Sequence, residues 1–244
     1  MRNFGLIGYP LSHSFSKGYF AEKFQKEGLL DCRYENYPLP SLDGFPELVA
    51  RVEDLRGLNV TIPHKEAVIA LIDTLDDAAR DIGAVNTILF QDGKTTGFNT
   101  DIVGFARSLQ PLLRVHHDRA LILGTGGASK AVAYCLSALQ IPYRLVSRRK
   151  QSPDMLTYGE LTEEVMRTHR LIINTTPLGT SPQVDTCPPI PYHWLEGHHL
   201  LYDLVYNPAE TLFLRKGKAQ GAAIKNGYQM LVLQAEASWA IWTR

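Results

Sequence analysis

A chain of 244 residues with 25 lysines and arginines against 25 aspartates and glutamates has no electrostatic reason to bind nucleic acid or an acidic membrane. Its three cysteines, Cys32, Cys135 and Cys187, are widely spaced and form no CxxC, which argues against a disulfide framework or a zinc site and leaves no metal to assign. No stretch approaches ~18 apolar residues and MRNFGLIGYP is too short an apolar run for a signal peptide, so a soluble, cytoplasmic protein of one large or two small domains is expected.

In chain order, FGLIGYP reads as a strand and SFSKGYFAEKFQKEG as a helix. YENYPLP is a strand, FPELVARV a short helix and LNVTIP a strand, after which HKEAVIALID has a helical pattern. In AVNTILFQDGKTTGFNTD, Asp92-Gly93 is a two-residue hairpin turn between two short strands. The GKT there is no phosphate loop, because Ile88 occupies the place of the glycine required five residues earlier. DIVGFARSLQPLL is a helix leading into RALILGTG, YRLVSRR, RLIINTTP, LLYDLVY and AAIKNG, five strands separated by helical segments. Most are apolar on both faces, which predicts a parallel sheet covered by helices on each side. YQMLVLQAEASWAIW closes the chain as a helix whose apolar surface must be buried. The fold class expected is therefore α/β. Residues 1–101 form one domain, completed by a C-terminal helix at 228–244, and residues 102–227 form a second, parallel-sheet domain.

The strongest local chemical signal is ALILGTGGASKAV, a hydrophobic strand running through Gly124, Gly126, Gly127, Ala128 and Ser129 into a helix. Such glycines let backbone approach a pyrophosphate, whose charge meets the unpaired N–H groups at the helix start. Ser129 stands where a third glycine is usual, and a plain tight turn is the alternative. A reader of NAD places an acid about 20 residues on, at the end of the next strand. Here Ser147, Arg148, Arg149 and Lys150 follow Val146, and guanidinium groups suit a 2′-phosphate, so NADP is the expected cofactor. Earlier in the chain, LNVTIPHK aims Asn59, Thr61 and Lys65 toward one region, although a solvated strand face followed by a helix start gives the same pattern.

Eight separated motifs, in order, resemble the shikimate dehydrogenase family: GYPLSHSFS, NVTIPHK, GAVNT, GFNTDIVGF, GTGGAS, NTTPLG, YDLVYNP and NGYQMLVLQA. The resemblance spans nearly the whole chain. It implies an N-terminal α/β substrate-binding domain, a Rossmann-type NADP-binding domain and an active site in the cleft between them, reducing 3-dehydroshikimate to shikimate with NADPH. By the same resemblance Ser12 and Ser14 hold the substrate carboxylate, unless they serve as helix caps. Asn59, Thr61, Asn86 and Gln234 meet the ring hydroxyls, for which amides offer donors and acceptors together. Tyr206 reaches the carboxylate from the other side. Leu204 and Gly227 flank the nicotinamide, and Thr175 of NTTPLG joins the glycine loop and Ser147–Arg149 in holding the cofactor. Lys65 and Asp101 resemble the catalytic pair, Lys65 supplying a proton or positive charge to the developing alkoxide and Asp101 orienting it. His64, the alternative acid, is expected to pack.

Ser147 departs from the family pattern, in which an Asn usually precedes the phosphate-binding Arg, and Thr176-Pro177-Leu178 vary a small polar turn. The expected partners are small molecules alone, with no nucleic acid and no membrane, and the protein is a monomer or homodimer. Two rivals remain open at this point: a quinate/shikimate dehydrogenase of relaxed cofactor use, and a non-catalytic dinucleotide-binding sensor.

Overall fold

The computed structural model describes residues 1–11 and 14–244. The chain divides into two compact units, Met1–Thr100 with Ala235–Arg244, and Asp101–Gln234.

The first unit runs β1 (Arg2–Gly8), α1 (Phe15–Glu27), β2 (Cys32–Pro38), α2 (Phe45–Arg51), β3 (Leu55–Val60), β4 (Thr74–Leu75), α3 (Asp77–Ile82), β5 (Thr87–Gln91) and β6 (Lys94–Phe98). These strands form one sheet in the order β2-β1-β3-β5-β6-β4. β1 is parallel to both β2 and β3, whereas β5 is antiparallel to β3 and β6. The hairpin read from Asp92-Gly93 is present, with both residues at positive φ (52° and 72°), as a tight turn matching strand twist requires.

The alternation of the strands sorts two cores onto the two faces. Leu58, Val60 and Ile88 join Phe45, Leu48 and Ala79 on the face of α2 and α3. Phe4 and Leu6 join Phe20 and Phe24 of α1 and, from the chain's end, Ala235, Ile241 and Trp242 on the other. Trp242 lies flat enough on β3 that a Cβ at Gly57 would meet its indole at 2.2 Å. Its Nε1 donates to Ile88 O at 2.9 Å, and its ring stands 5.2 Å from Phe4 and 5.5 Å from Phe20. Trp242→Ala should therefore cost about 3–5 kcal/mol, read as a lower denaturation midpoint. A loss below ~1 kcal/mol would show that the end of the chain is not part of this core.

The helix expected over HKEAVIALID is instead a short 3₁₀ segment, Ala67–Leu71. Its far end is fastened elsewhere: Asp73 N–H donates to Thr95 Oγ1 at 2.9 Å, and Thr95 N–H donates to Asp73 Oδ2 at 2.7 Å. With β4 beginning at Thr74, too few residues remain for a full helix to propagate.

The second unit contains α4 (Asp101–Leu109), β7 (Ala120–Leu123), α5 (Gly127–Ala138), β8 (Tyr143–Ser147), β9 (Leu156–Thr157), α6 (Glu163–Thr168), β10 (Leu171–Asn174), β11 (Leu200–Asp203), α7 (Leu212–Ala219) and β12 (Ala223–Lys225). Its sheet is wholly parallel, in the order β12-β11-β10-β7-β8-β9. Numbered within the unit this is 3-2-1-4-5-6, the doubly wound dinucleotide-binding order. β7, β10 and β11 are buried at every residue, because α4 and α5 cover one face and α6 and α7 the other.

The last helix, α8 (Tyr228–Trp242), matches its predicted span, but only Ala235 onward groups with the first unit. Its opening turns belong with α4: Met230 joins the core of Phe105 and Leu109. At Gly104 a Cβ would lie 2.5 Å from Met230 O, so the two backbones meet directly. Among the described residues no helix is long and apolar enough to cross a membrane.

At the amino ends of β7 and β11 lies a group of histidines, with His116 5.2 Å from His198 and 4.4 Å from His117 between ring centroids. His117 is buried and accepts the Arg114 N–H on Nδ1 at 3.1 Å. Burial first, then the neighbouring His116, push its pKa down to about 4. The folded state therefore favours neutral His117, and its contribution is complete above the unfolded value near ~6.5 and lost as pH falls through about 4. Stability of the wild type should decline across that window, and His117→Gln should flatten the decline. Parallel pH profiles of the two proteins would place the acid sensitivity elsewhere.

Candidate active site

The residues expected to hold a cofactor lie at the carboxyl ends of the second unit's parallel strands, where the order switches between β7 and β10, the place at which open α/β sheets bind ligands. Gly124 leaves β7 at φ +115°, a backbone conformation that disfavours any side chain. A Cβ there would also stand 2.7 Å from Thr175 Oγ1. Gly126 has open space where its Cβ would be and caps the amino end of the twelve-residue α5. Ser129 fills the third glycine's place by turning its hydroxyl back to Gly126 O at 2.6 Å. Gly127 and Ala128 form the first turn of α5, which carries no acid. Bare N–H groups, a positive helix end and open space fit a pyrophosphate.

At the end of β8, Arg148, Arg149 and Lys150 are exposed. Lys150 is tied by its Nζ to Glu160 at 2.5 Å. Glu160 also accepts the Thr157 N–H and hydroxyl, each at 2.8 Å. Lys150 first, then these Thr157 hydrogen bonds, hold the carboxyl down at about 2. The loop is thus anchored by one cation while two guanidinium groups face solvent, an arrangement that suits a phosphate monoester.

Asn174 and Asp203 brace the next two strand ends. Asn174 Nδ2 donates to Asp203 Oδ1 at 2.9 Å, and Thr176 N–H to Asn174 Oδ1 at 3.0 Å. Asp203 further accepts from Val205 N–H at 3.0 Å and from the Thr211 hydroxyl at 2.5 Å. Burial pushes its carboxyl up to about 6 despite those donors. Gly227 is packed so tightly on Leu204 that a Cβ would lie 2.1 Å from Leu204 O. The two residues expected beside the nicotinamide therefore touch each other. Tyr206 is half-buried, and that burial raises its phenol pKa.

In the first unit, the exit of β3 is laced to the approach of β5. Val60 N–H donates to Asn86 O at 2.8 Å, and Val85 N–H to Lys65 O at 2.7 Å. Thr61, Lys65 and Asn86 are thereby held on neighbouring segments. His64 is buried and donates Nε2–H to Leu39 O at 2.6 Å, so it packs as expected. Ser14 occupies the cap position before α1 but makes no capping bond. Among the described residues its Oγ is buried without a hydrogen-bond partner, a costly state that a bound carboxylate would relieve. Ser12 lies outside the described residues. Asp101 is the buried first residue of α4 and Gln234 the buried last residue of the second unit, its Nε2 donating to Leu231 O at 2.9 Å. Burial and then the Asp101 charge push the nearby Cys135 thiol up to about 12.

The model of the shikimate dehydrogenase substrate binding domain matches residues 6–88. An NADP(+) shikimate dehydrogenase of Desulforamulus reducens is 36% identical over 98% of this chain and 89% of its own. One from Methanosphaera stadtmanae is 33% identical over 98% and 90%. The crystal structure of shikimate 5-dehydrogenase from Thermus thermophilus, in complex with NADP(H) and shikimate, superimposes with a TM-score of 0.88 at 33% identity, covering 100% of this chain and 94% of that one. The chain belongs to the shikimate dehydrogenase family.

Asn59, Thr175 and Ser147, which the family pattern suggested as ligand contacts, use their side chains within the protein, and Asn86 does so in part, its Nδ2 donating to Thr100 Oγ1 at 3.0 Å. Asn59 is 4% exposed. It accepts from Tyr34 Oη at 2.8 Å and donates to Ser238 Oγ at 2.9 Å. The strand's period of two sends Leu58 and Val60 to one core, so Asn59 falls on the opposite face, with Tyr34 and Ser238, while Thr61 lies just beyond the strand's end. Thr175 gives its hydroxyl to Leu123 O at 2.7 Å, tying β10 to β7. Ser147, the departure from this family's usual Asn, hydrogen-bonds with both the N–H and the C=O of Arg149. Its hydroxyl shapes the arginine loop. The motifs quoted from the sequence already contained Asn174, Asp203, Thr87 and Thr100, but nothing in their spacing marked them as braces. Ser238 lies in the apolar last helix and carried no signal.

Proposed function

We propose that this protein catalyses the reversible NADPH-dependent reduction of 3-dehydroshikimate to shikimate, an oxidoreductase step of aromatic amino-acid (chorismate) biosynthesis. The observation that carries this is the full-length likeness to NADP(+) shikimate dehydrogenases across both units. Bound NADPH supplies the hydride that reduces the carbonyl carbon. Gly124, Gly126 and the amino end of α5 receive the pyrophosphate, and Arg148 and Arg149 the 2′-phosphate. Gly127, Ala128 and Ser129 set the first turn beneath it. Leu204 and Gly227 supply backbone surface for the nicotinamide, and Thr175 and Ser147 fix the loops. On the substrate side, the Ser14 hydroxyl, which has no partner among the described residues, holds the carboxylate with Ser12 and Tyr206, while Thr61, Asn86 and Gln234 meet the ring hydroxyls. Lys65 donates the proton that the substrate oxygen gains, and Asp101 is its carboxylate partner in the reaction. The three free thiols, Cys32, Cys135 and Cys187, fit a reducing cytoplasm, where the protein acts as a monomer or homodimer.

The test is NADPH oxidation with 3-dehydroshikimate, run beside NADH and, in the oxidative direction, quinate. Turnover confined to NADPH and 3-dehydroshikimate supports the assignment. Equal turnover of quinate would make this a quinate/shikimate dehydrogenase. Cofactor binding without turnover of either compound would make it a sensor.

A further inference from the structure

Behind Asn86 the first unit contains a group of buried polar side chains whose hydrogen-bond directions can be assigned from their partners. Tyr34 is buried, and burial raises its phenol far above the ordinary value, so it keeps its proton and donates to Asn59 Oδ1 at 2.8 Å. Asn59 must turn its amide nitrogen the other way, because that end also faces the Asn86 backbone carbonyl at 3.3 Å, which only accepts. The nitrogen donates to Ser238 Oγ at 2.9 Å. At the far end, Asn86 Oδ1 receives the Thr100 N–H at 2.7 Å, which fixes it as the acceptor, and also the Thr87 hydroxyl at 3.0 Å. With Thr87 donating to Asn86, Ser238 serves as the donor in its 2.8 Å contact with Thr87 Oγ1, and the Thr100 hydroxyl stands 3.2 Å from each of the two. One directional route runs from Tyr34 to Asn59, Asn59 to Ser238, Ser238 to Thr87, and Thr87 to the Asn86 carboxamide, beside a longer direct contact from Asn59 Nδ2 to Thr87 Oγ1 at 3.2 Å. Asn59 and Asn86 are under 5% exposed, and Thr87 and Ser238 are fully buried.

We propose that Ser238 is a positioning residue for substrate recognition. It completes this chain from the last helix and so fixes which way the Asn86 carboxamide faces and what it offers a ring hydroxyl. The inference rests on the assignment of Asn86 to the substrate. Bonds in such a chain polarise one another in a low-dielectric interior, so loss of the middle link loosens Asn86 even though Ser238 itself touches no ligand in this scheme. Every residue of the chain belongs to the first unit, so the effect should fall on the substrate and spare the cofactor.

Ser238→Ala should raise the Michaelis constant for shikimate roughly fivefold to thirtyfold and leave that for NADP+ unchanged. Thr87→Val, isosteric and one link further on, should do the same, and serves where Ser238→Ala folds poorly. In an Asn86→Ala background, Ser238→Ala should change the shikimate constant by less than about twofold, because the group it positions is gone. A lowered melting temperature with unchanged Michaelis constants in both Ser238→Ala and Thr87→Val would make the chain purely structural and overturn the proposal. So would effects of Ser238→Ala and Asn86→Ala that simply multiply. If Asn86→Ala alone leaves substrate binding intact, the assignment of Asn86 falls and this inference with it. An effect of Asn86→Ala with none of Ser238→Ala removes only the inference.

Discussion

Lys65→Ala lowers turnover by roughly 10²–10⁴-fold, the range expected for a positioned acid–base group, while the Michaelis constant for 3-dehydroshikimate changes much less. Reduction of a carbonyl leaves negative charge on oxygen, and a cation placed there both stabilises that charge and delivers the proton. The Lys65 segment is fixed by its own carbonyl, which takes the Val85 N–H at 2.7 Å, so truncating the side chain leaves the backbone brace in place. Ser14, Thr61 and Asn86 would still hold the ring. His64, the residue next door, is not a ready substitute, because its Nε2 proton is given to Leu39 O. Asp101→Asn should also reduce turnover, since the amide keeps the shape at the start of α4 and loses the charge. Single-turnover and steady-state rates with NADPH measure both effects. Near-normal turnover in Lys65→Ala with weakened substrate binding would make Lys65 an anchor and leave the acid to be found elsewhere.

Arg148→Ala raises the Michaelis constant for NADPH by roughly tenfold to a hundredfold and leaves that for NADH nearly unchanged. The factor is that of a charge-assisted hydrogen bond to a phosphate. Arg148 is exposed at the end of β8, in a loop whose backbone is set by Ser147 and whose far side is tied by Lys150 to Glu160. Removing its side chain should not disturb that frame. Arg149 is adjacent and also exposed, so the double substitution shows the full discrimination between cofactors. An equal loss with NADH would mean that Arg148 supports the fold.

Elements with a strong local cause were legible in the sequence. The Asp92-Gly93 turn, the glycine loop between β7 and α5, and the full extent of α8 each follow from residues within a few positions of one another. What was missed depends on distant partners. The 3₁₀ segment Ala67–Leu71 has a helical pattern, but Thr95 fastens Asp73 and cuts it short. β4 and β9 are two residues each, below any periodic signal, and exist because β6 and β8 offer free edges. At the site, residue type revealed which side chains have donors and acceptors, and did not reveal which of them are already committed. Asn59 and Thr61 look alike in NVTIP, yet the strand ends between them, and only Asn59 is drawn under the last helix to meet Ser238, 179 residues away. Thr175 and Ser147 were assigned to the cofactor for the same reason. Their hydroxyls hydrogen-bond to the backbone of Leu123 and Arg149.

The division of α8 has a consequence for how a nascent chain folds. Domains generally fold as units in the order in which they are synthesised, but the first unit is completed only by Ala235–Arg244. Until those residues emerge, the aromatic surface of Phe4, Phe20 and Phe24 lacks Trp239 and Trp242, the rings that cover it. Translation of everything after Thr100 takes on the order of ten seconds at ~5–20 residues per second, so that surface stays open while the second unit is made and closes its own core. The first unit is begun before the second and closed after it. The interval between is when this chain is most exposed to aggregation and to chaperones.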